Sequence, residues 1–146
     1  MKRPVSSLLL VLTILVLSGA GFTQTQPQPQ FEGEWINVDP KTRGLTRLVI
    51  SREENGWGIQ AWGRCHPSDC VWGIVPLEPI GKSVTDSSFN RGFAIWDPGF
   101  ATNYVTLRLE KGHLFAEMIT IFKDRSRRYN YRRVEEMRPA DEPVAN

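Results

Sequence analysis

Tyr104-Val105-Thr106-Leu107-Arg108-Leu109-Glu110 alternates strictly, with Val105, Leu107 and Leu109 on one face and Tyr104, Thr106, Arg108 and Glu110 on the other. A period of two marks an antiparallel strand with one face in a core and the other in water. The same alternation recurs over 33–38, 46–52, 56–64, 71–78, 92–97, 113–122 and 127–135, and no window keeps a helical stripe long enough to compete. Turn formers stand between these runs: Asn55-Gly56 and Lys111-Gly112 tolerate positive φ, and Asp97-Pro98-Gly99 presets a reversal. Strands joined this tightly are neighbours, and eight in succession would leave two long unpaired edges if the sheet stayed open. The expected fold is all-β, an up-and-down antiparallel barrel of about eight strands, with a sandwich as the alternative. Pro76 and Pro79 each remove a ladder donor, so the fourth strand is expected to end early or to run along an open seam.

The chain begins with Lys2 and Arg3, continues as an apolar run over 5–17 broken only by Ser6, Ser7 and Thr13, and reaches the small residues Ser18-Gly19-Ala20. That is the pattern of a secretory signal peptide over 1–20. An uncleaved anchor is the alternative, although a spanning helix takes about 20 apolar residues. The expected location is therefore secreted or periplasmic, with no stable membrane insertion after cleavage. Residues 21–30, rich in Gln, Pro and Thr, read as a linker with too little apolar surface to offset the entropy of ordering. One domain is expected over 31–137, followed by a flexible tail over 138–146.

Cleavage removes two of eighteen basic residues and leaves sixteen against sixteen acidic ones. A neutral exported chain argues against nucleic acid as a partner. The stretch 123–138 is locally basic, with seven Lys and Arg against three acids and with Tyr129 and Tyr131 interleaved. Such a pattern suits single strands or anionic surfaces, but charge is also the usual protection of an exposed strand edge.

The only two cysteines lie in Trp62-Gly63-Arg64-Cys65-His66-Pro67-Ser68-Asp69-Cys70-Val71-Trp72-Gly73. In an oxidising compartment Cys65 and Cys70 are expected to form a disulfide closing a short turn. Metal binding with His66 and Asp69, or a pair of free thiols, are the alternatives. A structural zinc site brings a second pair of ligands, and the one other histidine is His113. No metal and no cofactor are expected. No catalytic residues are assigned either: the two histidines are far apart, and a carboxylate pair from Glu32, Glu34, Glu78 or Glu117 has no spacing to recommend it.

What remains is aromatic. Trp57, Trp62, Trp72, Trp96 and Tyr104 form the candidate ligand site, although parity sets Trp57 and Trp62 on opposite faces, so only a subset of these rings points inward. The expected function is non-catalytic binding of a small apolar or aromatic ligand in or at the mouth of the barrel. The alternative is a protein-interaction module that uses the outer face or the disulfide-closed loop.

Gly33-Glu34-Trp35 on the first strand, with Arg132 or Arg133 on the last, resembles the calycin signature of lipocalins and avidin-like barrels. The resemblance implies that Trp35 closes one barrel end with an arginine of the last strand across its ring. A wider set adds Asn37, Thr42-Arg43-Gly44-Leu45-Thr46-Arg47, the Trp-Gly pairs flanking the cysteines, and Phe122-Lys123-Asp124-Arg125-Ser126. That set resembles a group of uncharacterised exported bacterial proteins, and it implies a fold and a compartment without a reaction.

Overall fold

The computed structural model describes residues 30–142; the expected signal peptide, nearly all of the linker and 143–146 lie outside the described residues. Eight strands follow in order: β1 (Gly33–Asn37), β2 (Leu45–Glu53), β3 (Gly56–Gly63), β4 (Cys70–Ile80), β5 (Arg91–Trp96), β6 (Ala101–Glu110), β7 (His113–Phe122) and β8 (Tyr131–Pro139). Each pairs antiparallel with the next, and β1 pairs with β8, so the sheet closes into an up-and-down barrel. No helix occurs among the described residues. The tight turns use the chemistry read from the sequence: at the β6–β7 hairpin Lys111 and Gly112 take φ of 52° and 85°.

Register carries the alternation around the barrel. Ala94 faces Val105, which faces Met118, and Gly92, Leu107 and Ala116 form the row beside them. All of these but Gly92 join Leu48, Ile50, Trp57, Ile59 and Leu77 in one buried cluster in the interior. The end of the barrel below this cluster is closed by Phe31, which is fully buried, and by Trp35, whose Nε1 donates to the Phe31 carbonyl at 2.8 Å.

Trp35 is buried as the resemblance implied, but its partners differ. Pro139 stands opposite it on β8 and Leu48 on β2. Arg132 instead donates to Glu117 at 2.5 Å on the outer surface, and Arg133 pairs with Glu135 at 2.6 Å. The expected cation across the Trp35 ring is corrected accordingly. The cause is the position of the last strand, which runs from Tyr131 to Pro139 rather than over 127–135 and so carries Arg132 and Arg133 away from the closed end. Pairing also continues past the expected domain end at 137, since Ala140 N–H donates to the Glu34 carbonyl at 2.9 Å.

β4 departs from expectation in an informative way. It does not end early, because it continues through Pro76 and Pro79 to Ile80. Its ladder to β5, however, covers only Leu77 to Ile80, opposite Ala94 to Arg91. From Cys70 to Pro76 the strand is paired only to β3. The expected seam is therefore present, but only over the upper half of the strand.

Candidate functional site

The loops 38–44, 64–69, 97–100 and 123–130 surround the open end of the barrel. Beneath them, where the β4–β5 ladder lapses, lies a cleft of about 580 Å³. Trp72 and Trp96 are its principal rings, packed edge to face with centroids 5.9 Å apart and an interplanar angle of 79°.

A register shift in β4 positions Trp72. Between Gln60 and Trp62 of β3 lies one residue, whereas between their partners Ile74 and Val71 lie two. The bulged residue resets the parity of β4, so Val71 and Ile74 both face solvent while Trp72 and Val75 pack against the core. Gly63 allows the indole to lie close: a Cβ there would sit 2.8 Å from Trp72 Nε1. Trp96 is held from the other side by its Nε1, which donates to the Gly73 carbonyl at 3.1 Å.

Phe122 and Tyr131, 6.2 Å apart, form the opposite wall, and the Arg128 guanidinium lies 4.1 Å from the Phe122 ring centre. Deeper in the cleft, Asn103 and Thr120 are buried polar residues, with the Thr120 hydroxyl donating to Asn103 Oδ1 at 2.8 Å. The charges at the rim are paired. Lys123 Nζ lies 2.6 Å from Asp97 Oδ2, and Arg128 donates to Asp124. Lys123 and the Gly99 N–H hold the Asp97 carboxyl below its usual range; Ser126 and Arg128 do the same for Asp124.

Cys65 and Cys70 are joined, with Cα atoms 5.5 Å apart, and the disulfide lies at the edge of the cleft. Arg64 ties this loop to the next by donating to the Thr42 and Pro40 carbonyls at 3.2 and 2.9 Å. A bridge over so short a loop restrains little unfolded-chain entropy. The Cys65→Ser, Cys70→Ser variant is expected to lose about 2 kcal/mol in denaturant melts, below the ~3 kcal/mol of a 15-residue loop. A loss above 4 kcal/mol would give the bond a larger role than shaping the rim.

Of the five aromatics singled out in the sequence, the fold brings together Trp72 and Trp96. Trp57 is buried in the core lower down, paired across to Leu77. Trp62 faces outward under Arg47, 3.6 Å from the ring centre, and Tyr104 is exposed on the outer face of β6. Asn103, Thr120, Phe122 and Tyr131 were missed. Thr120 carried a signal, since it continues the inward row Leu114, Ala116, Met118 as a polar residue.

Of the carboxylates considered for catalysis, Glu34 pairs with Arg47 and Glu117 with Arg132, both on the outer surface. No group of three or more potential metal ligands is assembled among the described residues.

Fold and site together define a closed eight-stranded antiparallel barrel with an apolar core and an aromatic cleft at one mouth. Compared with known protein families, curated proteins and solved structures, the chain matches none.

Proposed function

We propose that this is an exported, non-catalytic binding protein that takes a small apolar or aromatic ligand at the mouth of the barrel. The observation that carries the reading is the cleft of about 580 Å³ over Trp72 and Trp96, above the apolar core of the barrel. Its volume falls within the roughly 300–1,000 Å³ of small-molecule sites, and its aromatic walls supply stacking and burial. The Cys65–Cys70 disulfide accords with an oxidising compartment, and the N-terminal sequence pattern supports export.

Titration of the mature protein with a panel of aromatic compounds, followed by tryptophan fluorescence, tests the reading. Saturable quenching is expected. Trp96→Ala should weaken binding at least tenfold, in line with the ~2 kcal/mol or more carried by buried aromatic anchors. Trp62→Ala, on the outer surface, should leave affinity unchanged.

The second reading, a protein-interaction module, draws on the outer face. There Ile95, Tyr104 and Ile119 stand side by side across β5, β6 and β7, exposed at 42%, 39% and 41%. A panel that produced no saturable change would favour it.

A further inference from the structure

We infer that the cleft selects ligands carrying a neutral hydrogen-bond acceptor, such as a carbonyl oxygen, and that Asn103 is the residue that reads it. The inference rests on the mouth-binding reading above and names the chemistry of its ligand.

Asn103 is only 7% exposed, and it lies on the inward row of β6 opposite Trp96 and Thr120. Thr120 occupies its Oδ1, and the amide nitrogen has no partner among the described residues. Asn103 lines the cleft together with both tryptophans, so its free N–H groups are available to a molecule stacked there. That nitrogen is not among the atoms sealed from solvent without a partner, so it opens onto the cleft, where a ligand acceptor would take the place of water.

The other polar groups argue for a neutral acceptor rather than a carboxylate. Arg128 and Lys123 are already paired with Asp124 and Asp97, and Trp96 Nε1 is taken by the Gly73 carbonyl. Trp72 turns its Nε1 edge toward Gly63. Among the described residues no unpaired cation lines the cleft to meet an anion, whereas an uncharged amide donor does. A site built to hydrogen-bond one ligand atom discriminates against the analogue that lacks it, because the protein's own group is then left unpaired.

Three probes of similar shape separate the possibilities: 1-indanone offers an acceptor, indane offers neither acceptor nor donor, and indole offers an N–H donor. Affinities come from ¹⁵N-edited NMR titrations of the mature protein, following the indole N–H signals of Trp72 and Trp96 and the side-chain amide of Asn103. The expected result is that 1-indanone binds at least tenfold more tightly than indane or indole and shifts the Asn103 amide protons downfield, while indane does not. Asn103→Leu combined with Thr120→Val, which leaves no orphaned hydroxyl, should bring the preference below threefold while indane affinity is kept. Equal binding of 1-indanone and indane, or a preference for indole, overturns the role of Asn103 and leaves the mouth-binding reading standing. Failure of all three probes to bind overturns both. The wild-type amide shifts decide the matter should the double variant not fold.

Discussion

Replacing Trp35 with Ala is expected to lower the unfolding free energy by about 3–5 kcal/mol, the range for truncating a large buried aromatic. The ring is 6% exposed and closes the barrel between Leu48 on β2 and Pro139 on β8. Its loss opens a cavity that the barrel cannot easily collapse around, since β1 is held by β2 on one side and β8 on the other. The buried Phe31 carbonyl also loses the indole N–H that satisfies it at 2.8 Å, and an orphaned acceptor adds about 1–3 kcal/mol. Trp35→Phe separates the two effects: it keeps most of the ring and removes the donor, so about 1–2 kcal/mol is expected. Urea melts read both changes as shifts in midpoint at nearly constant slope. A loss below about 1 kcal/mol for Trp35→Ala would mean that Phe31 and its neighbours close this end without the ring.

Strand alternation and turn chemistry were enough to foresee closure because both act locally: each hairpin is specified within its own twenty residues. The last strand resisted reading because its polarity is inverted at Val134–Glu135, although Met137 further along is fully buried. Val134 faces out at 43% exposure while Glu135 is buried at 6%, so the apolar residue marks the wet face and the charged one the dry face. The regular pattern that located the other strands therefore pointed to the wrong residues, and with them went the expected contact of Arg132 or Arg133 with Trp35. The site was half legible for a related reason. Parity separates Trp57 from Trp62, but it cannot separate Trp57 from Trp96, which share the inward face and differ only in height along the barrel. Height is a matter of register between distant strands. Trp72 depends further on a bulge, and one inserted residue leaves no trace in composition.

The inverted polarity of β8 yields the second large expectation. Glu135 Oε2 accepts from Asn37 Nδ2 at 2.8 Å and from Thr42 Oγ1 at 3.0 Å, while Arg133 Nε stands 2.6 Å from Oε1. That Arg133 contact is an ion pair without hydrogen-bond alignment, so Oε1 has no hydrogen-bond donor of its own. Glu135 thus fastens the β1–β2 loop to the last strand, closing the barrel where β1 meets β8. Glu135→Ala takes one of two acceptors from the Asn37 amide, which keeps the Leu45 carbonyl, and strands a hydroxyl and a partly exposed guanidinium; about 2–4 kcal/mol of stability should be lost, below the full cost of breaking a wholly buried pair because Arg133 reaches water. Gly44 makes the arrangement testable from the opposite side. A Cβ at that position would fall 1.8 Å from Glu135 Oε1, so Gly44→Ala must displace the carboxylate from its two donors. In the wild-type background it is expected to cost about 1–3 kcal/mol, the range for overpacking. In the Glu135→Ala background the carboxylate is gone and only Arg133 Cδ remains close, 3.0 Å away on a flexible, partly exposed side chain that can give way, so the same change should cost less than about 0.5 kcal/mol, because residues in direct contact do not add. Equal costs in the two backgrounds, measured by denaturant melts around the double-mutant cycle, would show that Gly44 is required for its backbone and not for the room it gives the buried carboxylate.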